Sequence, residues 1–294
     1  MTSSDMQALE VLTPGPLTTV QDHGRPGMAH LGVPPSGALD RPGADLANQL
    51  VGNPPGFAVL ETTLTGPRLR VLGLSGSSVV LAVTGAPAPI TVDGHPASMG
   101  RVLQVPAGAV VQLGTCSAGV RSYLAVRGGI AVAEVLGSRS HDLLSGLGPP
   151  ALQRGQRLPI GAMLDAGITA TTAWPDTIDP PPVLPIVLGP RDHWFAPEAL
   201  ELLTGTAWQV SPASNRIGLR LTGPALPRRR PEQLPSEGVV TGSIQIPQDG
   251  QPVLFLADHP TTGGYPVIAV VDESALHHAA QARPGTTLRF VLGR

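Results

Sequence analysis

Apolar residues recur along this chain in short runs, each closed by glycine, proline or a polar turn. In the first half the runs are Ala58–Thr62, Leu69–Val71, Val79–Val83, Arg101–Val105, Val110–Leu113 and Ser122–Val126. In the second half they are Ile186–Leu188, Ala207–Val210, Gly218–Leu221, Ser243–Ile246, Val253–Leu256, Val267–Val271 and Thr287–Leu292. Runs this short, rich in Val, Leu and Ile and bounded by turn residues, read as strands rather than helices. With 36 Gly and 33 Pro spread through the chain, the turns come often enough for a barrel or sandwich architecture.

Three segments carry the helical period instead. In Arg41–Val51, Ala44, Leu46, Ala47 and Leu50 fill one face, Asp40 stands at the cap and Pro42 suits the first turn. Pro197–Leu203 and Asp272–Ala280 are the other two, the last capped by Asp272. The stretch 170–182 has linker composition, ending in three consecutive prolines, and divides the chain into regions 1–175 and 183–294. A faint echo joins the halves: Thr65-Gly66-Pro67 returns as Thr222-Gly223-Pro224. This is weak support for two related β-barrels, which need not be sequential, and chance matches between turn-rich strands account for it nearly as well.

Composition changes the picture mainly by exclusion. The chain has 294 residues, 41% hydrophobic and 14% charged, enough for a large core and unlike a disordered chain. A net charge of -2 gives no basic stripe for nucleic acid, and Arg228-Arg229-Arg230 reads as a solvated loop. All 19 basic residues are Arg. The absence of Lys excludes a Schiff-base lysine, a Walker A loop, the Ser-Ser-Lys arrangement of amidases and biotin attached to this polypeptide. Cys116 alone makes neither an internal disulfide nor a thiolate metal cluster. His277-His278 has no carboxylate at ligand spacing beside it, so no metal site is expected. The visible N-terminus has no signal-peptide pattern and no apolar run spans a bilayer, so a cytoplasmic protein without membrane attachment is expected.

Three polar segments interrupt this framework. The first runs from Thr19-Val20-Gln21-Asp22-His23-Gly24-Arg25-Pro26-Gly27 to Ser36-Gly37-Ala38-Leu39-Asp40, a glycine-rich loop of the kind that holds binding groups on a scaffold. Arg25 can pair with a carboxylate or phosphate and Asp22 can orient it or act as a base; an internal Asp22–Arg25 salt bridge explains the same residues equally well. The second, Ser214-Asn215-Arg216-Ile217-Gly218-Leu219-Arg220, places Arg216 and Arg220 on one face by the period of two, either to grip an anion or as barrel-surface charges. The third holds Ser236-Glu237-Gly238, Gly242-Ser243-Ile244-Gln245 and Ala257-Asp258-His259-Pro260-Thr261-Thr262-Gly263-Gly264-Tyr265-Pro266. Gln245, on an apolar strand, needs a partner. The glycine pair reads either as an anion cradle or as a tight barrel corner.

Taken together and in order, these motifs resemble the allophanate hydrolase subunit 2 family, closely related to the C-type subunit of 5-oxoprolinase, from about Val11 to Gly293. The resemblance implies a mainly β chain of two cyclophilin-like β-barrel domains with a few short helices. It implies one component of a heteromeric carboxyltransferase-like enzyme acting on a small amide or lactam, foremost 5-oxoproline to glutamate at the expense of ATP. The expected partners are an allophanate hydrolase subunit 1-like protein (the B-type subunit of 5-oxoprolinase) and a third protein (the A-type subunit of 5-oxoprolinase). ATP is expected to act with those partners, and carboxybiotin, if used, to be presented in trans. Two alternatives stay open: a biotin-dependent urea-type carboxyltransferase component, and a regulatory protein that sequesters a kinase-inhibiting subunit 1. The residues expected to carry chemistry are Asp22 and Glu237. Those expected to bind substrate are Gln21, Arg25, Asn215, Arg216, Arg220, Ser236, Gln245, Thr262 and Tyr265. Two positions depart from the family pattern: His23 replaces an aliphatic residue, and Val267 stands where a basic residue is frequent.

Overall fold

The computed structural model describes residues 7–162, 183–230, 232 and 234–293. The proline-rich stretch 170–182 lies outside the described residues. The chain divides into two compact units that interleave in sequence. The first runs to Arg25, resumes at Asp40 as far as His141, and resumes again at Gly146. The second takes Pro26–Leu39, Asp142–Ser145 and the C-terminal part from Val183 onward.

The first unit is built on two sheets. One has the strand order Arg157–Pro159, Ala8–Thr13, Arg68–Leu72, Val110–Leu113, Ile90–Val92, His95–Ala97. The other has the order Thr18–Gln21, Val59–Thr63, Arg121–Val126, Ser78–Gly85, Leu103–Pro106. Their apolar faces share one core: Leu9, Val11 and Val111 from the first sheet meet Val20, Leu60, Val83 and Leu124 from the second. Arg121–Val126 is buried at every residue, because its other face is covered by helix α1, Arg41–Leu50. Helix α1 begins where the pattern places it. The Asp40 carboxylate accepts from the Gly43 amide at 2.9 Å, and Pro42 sits in the first turn. Its buried side is made largely of small residues, so the helix lies close enough for the Thr84 hydroxyl to donate to the Gly43 carbonyl at 2.6 Å.

The second unit is a closed seven-strand barrel. The order is Val183–Leu188, Val267–Val271, Ser243–Gln245, Val253–Phe255, Gly218–Thr222, Trp208–Val210, Thr287–Leu292, and the last strand closes the ring by pairing in parallel with the first. Closure removes the open edges that would otherwise invite pairing with other chains. Alternate residues point inward: Leu184 and Ile186, Leu219 and Leu221, Leu288 and Phe290. Trp208 fills the interior at full burial, and its indole N–H is satisfied by the Leu203 carbonyl at 2.9 Å. Helix α2, Pro197–Gly205, supplies that carbonyl, and helix α3, Leu276–Ala280, follows a single 3-10 turn capped by Asp272.

The chain is thus mainly β with a few short helices. The short strands Ile90–Val92, His95–Ala97 and Arg157–Pro159 give no periodic signal and exist because a neighbouring strand pairs with them. The echoed Thr-Gly-Pro motif occupies two different settings. At 65–67 it leads into the strand Arg68–Leu72, whereas at 222–224 it leaves the strand Gly218–Thr222. What the two copies share is a glycine where a Cβ would strike a neighbour, Leu113 at 2.4 Å from Gly66 and the Trp208 ring at 2.7 Å from Gly223. Among the described residues no helix is long and apolar enough to cross a membrane.

Trp208 sets the test of this core. Trp208→Ala is expected to lower stability by about 3–5 kcal/mol in denaturant unfolding, through the lost burial and the cavity left behind. A change under about 1 kcal/mol would show that the barrel interior is filled some other way.

Candidate functional site

The first polar segment is divided between the two units: residues 21–25 form a closed loop of the first, and Pro26–Leu39 belong to the second. Asp22 is the hub of that loop. One carboxylate oxygen accepts from the Gly24 amide at 2.7 Å and from the hydroxyls of Ser138 at 2.6 Å and Ser140 at 2.5 Å. The other oxygen accepts from the Arg139 amide at 2.6 Å. Gly24 has a positive φ of 80°, which this tight turn requires. Gln21 is fully buried and its amide donates to the Thr19 hydroxyl and to the His141 carbonyl, each at 2.9 Å. Arg25 is only 2% exposed. Its guanidinium donates to the carbonyls of Val135 and Ser140, and Nη1 has no partner among the described residues. Asp22 and Arg25 therefore do not form the salt bridge that their spacing allowed; each binds the 135–140 segment separately. His23, the departure from the family pattern, is exposed and sits 2.8 Å from the Asp45 carboxylate.

The second segment lies in the second unit and separates its two arginines. Arg216 precedes the strand Gly218–Thr222 and is 1% exposed at its side chain, whereas Arg220 lies on that strand and is exposed. Arg216 makes a bidentate pair with Asp258, Nε to Oδ2 at 2.8 Å and Nη2 to Oδ1 at 2.9 Å, and Nη2 also donates to the Gly37 carbonyl at 2.8 Å. Asp258, fully buried, accepts further from the Ser36 hydroxyl at 2.8 Å and from the Leu143 amide at 3.0 Å. Asn215 is exposed and its side-chain oxygen accepts from the Ile217 amide at 2.8 Å, fixing the turn into the strand.

The third segment gathers most of the remaining polar residues. Glu237–Gly238 and Thr262–Gly263 pair as a two-stranded ribbon, extended by a bond from the Val239 amide to the Thr261 carbonyl at 3.0 Å. Gln245 reaches the loop from the barrel wall, donating to the Tyr265 carbonyl at 2.9 Å. Gly263 lets the Gln245 side chain close in, since a Cβ there would come within 2.4 Å of the Gln245 amide nitrogen and would have to displace it. Thr262 and Ser236 are exposed, and Tyr265 is 37% exposed. Glu237 forms a bidentate pair with Arg191, whose Nε lies 3.0 Å from Oε2 while Nη2 bonds Oε1. The hydrogen bonds from Arg191 hold the Glu237 carboxyl below the usual carboxylate range, and Glu237 in turn raises Arg191, so the pair is fully charged at neutral pH.

Ser236, Glu237, Gln245, Thr262 and Tyr265 thus come together on the second unit. Arg216 lies in the ion pair beneath the same loop, and Arg220 stands apart on the barrel wall. Two participants were not anticipated. Arg191 sits in a turn after the first barrel strand, and only its arginine side chain hinted at a role. Asp258 stands inside the third motif, but nothing in its neighbours reveals a partner 42 residues upstream. Val267 is buried in the barrel wall, so the position where a basic residue is frequent serves packing in this chain.

The arrangement is a cluster of polar side chains on a β-barrel scaffold, and comparison with known proteins gives the family. The chain matches the carboxyltransferase domain, subdomain A and B, over residues 31–292, and it belongs to that family. It is 38% identical over 290 residues to the C-type subunit of 5-oxoprolinase from Escherichia coli (strain K12), covering 96% of this chain and 90% of the relative. It is 32% identical over 316 residues to the urea amidolyase of Saccharomyces cerevisiae, covering 97% of this chain and 16% of that protein. Among solved structures, TTHA0988 superimposes with a TM-score of 0.87 at 35% identity, 97% of this chain matching 55% of that one. The K. lactis urea amidolyase gives 0.90 at 32% identity, all of this chain matching 19% of that one. This chain therefore spans about half of TTHA0988 and a small part of the amidolyases.

The buried pair makes a direct prediction. Arg216→Ala leaves Asp258 charged and unpaired at full burial, and should cost about 3–5 kcal/mol of stability in urea unfolding. A loss below about 1 kcal/mol, with activity abolished, would reassign Arg216 from the scaffold to substrate.

Proposed function

We propose that this chain is the C-type subunit of a heteromeric, ATP-dependent enzyme that opens a small lactam, converting 5-oxoproline to glutamate in the cytoplasm together with partners of the 5-oxoprolinase A and B types. The observation that carries the reading is the convergence on the second unit of an ionised Glu237–Arg191 pair, the Gln245 amide and the exposed Thr262 and Tyr265, in a chain alike to the C-type subunit of 5-oxoprolinase over nearly its whole length. A lactam with a carboxylate asks for such a set. Arg191 keeps donors beyond those used on Glu237 and can hold the carboxylate. The Gln245 side-chain oxygen, which has no partner among the described residues, accepts the ring N–H. The Tyr265 hydroxyl and Thr262 complete the hydrogen bonding to the carbonyl side. Gln21, Asp22, Arg25 and Arg216 act in this reading by holding their loops, Asn215 by fixing the turn into its strand, and Arg220 stays on the barrel wall.

A second reading rests on the urea amidolyase likeness: transfer of a carboxyl group to a urea-like nitrogen from carboxybiotin. The absence of Lys means that the biotin would be carried outside these 294 residues.

The test is ATP-dependent glutamate release from 5-oxoproline by the complex co-expressed with its chromosomal neighbours, with and without this chain. Release that disappears on omission is expected. Glu237→Gln in the complete complex should lower kcat on the order of 10²-fold by loosening Arg191. No glutamate from the complete complex, together with bicarbonate-dependent carboxylation of urea when a biotin carrier is supplied, would replace the first reading with the second.

A further inference from the structure

The loop that contributes Thr262 and Tyr265 also holds a histidine outside the expected set. His259 is 3% exposed, and its ring stacks on Phe255 with centroids 5.9 Å apart and planes 24° from parallel. Its Nδ1 lies 2.6 Å from the Pro260 carbonyl oxygen. A carbonyl only accepts, so Nδ1 must carry the hydrogen. In the neutral ring that leaves the lone pair on Nε2, which has no hydrogen-bond partner among the described residues. Ring orientation and tautomer are both fixed, as for a base oriented by a third group.

We propose that Nε2 of His259 is the proton acceptor of the lactam-opening reaction, an assignment that rests on the function proposed above. As the oxygen of a water molecule bonds to the lactam carbonyl carbon, one water proton passes to Nε2. The ring C–N bond then breaks and the imidazolium returns that proton to the departing nitrogen, which becomes the amino group of the product. Atoms and charge balance in this step, and the ATP that the proposed reaction consumes is used with the partner proteins, outside it.

The surroundings favour a free base at neutral pH. Burial pushes the His259 imidazole below its ordinary value; the Pro260 carbonyl and the carboxylates of Asp258 and Asp142 pull the other way and are outweighed. Both carboxylates are engaged. Asp258 is neutralised by Arg216, and Asp142 accepts from the Leu144 amide at 2.9 Å and the Ser145 hydroxyl at 2.5 Å.

Asn is the informative substitution, because its side-chain amide can keep the bond to the Pro260 carbonyl while Nε2 is lost. In the complete complex His259→Asn is expected to lower kcat by about 10²–10⁴-fold with KM for 5-oxoproline little changed, and to abolish the acid limb of the pH–rate profile. Assembly with the partner proteins should match the unsubstituted protein, and unfolding should stay cooperative, with a midpoint lowered only by the lost stacking on Phe255. Imidazole ¹⁵N spectra of the unsubstituted chain should show a neutral Nδ1–H ring titrating below about 6.5. A His259→Asn complex that keeps more than half its kcat, or a spectrum showing the Nε2–H tautomer, would overturn the role of His259 while leaving the proposed function standing. No glutamate from the unsubstituted complex would overturn both.

Discussion

The buried ion pair between Arg216 and Asp258 is the interaction on which the second unit depends. That unit is assembled from three stretches of chain, and the pair touches all of them: Ser36 and Gly37 from the first, Leu143 from the second, and the barrel residues themselves from the third. Two charges withdrawn from water are costly, and they are tolerated where every remaining donor and acceptor is matched. Both Asp258 oxygens accept twice, and the Arg216 fork meets the carboxylate squarely. The loop that follows, carrying His259, Thr262 and Tyr265, springs from this fixed point. A rigid origin for a polar loop is what a site needs if its groups are to be held ready rather than ordered on binding.

The first unit uses the same physics with different parts. Asp22 binds four donors and closes its loop onto Ser138–Ser140. Deeper in, the Tyr123 hydroxyl donates to Glu61 at 2.9 Å and accepts from the Asp40 amide at 2.8 Å, joining helix α1 to the sheet beneath it. Burial, reinforced by Glu61 and Asp40, raises the Tyr123 hydroxyl well above its ordinary value, so it stays a neutral donor at any physiological pH. Each unit therefore ties its non-local segments with a satisfied polar cluster set beside an apolar core. Such clusters specify one arrangement because any half-made alternative leaves a buried polar group without a partner.

This separates the polar residues by what they can do. Groups whose valences are filled inside the fold, Asp22 and Asp258 above all, position their surroundings. Groups with valences left over, the Gln245 oxygen, the Tyr265 hydroxyl and His259 Nε2, are free to meet a substrate. Glu237 and Arg191 stand between: half-exposed, charged, and fixed to one another.

The fold class, helix α1 with its Asp40 cap, most of the barrel strands and the family are legible in the residues alone, because these depend on local periodicity, turn chemistry and ordered motifs. The residues alone also place Ser236, Glu237, Gln245, Thr262 and Tyr265 in one motif group, since three of these lie on the ribbon or loop that the glycines shape. That Arg216 meets Asp258, that Asp22 and Arg25 part company, that Arg191 holds Glu237 and that His259 presents a bare Nε2 emerge only once the chain is folded. A residue's neighbours in sequence govern its backbone conformation, but the partner of a buried charge is chosen by the packing of distant segments, and no local pattern records that choice.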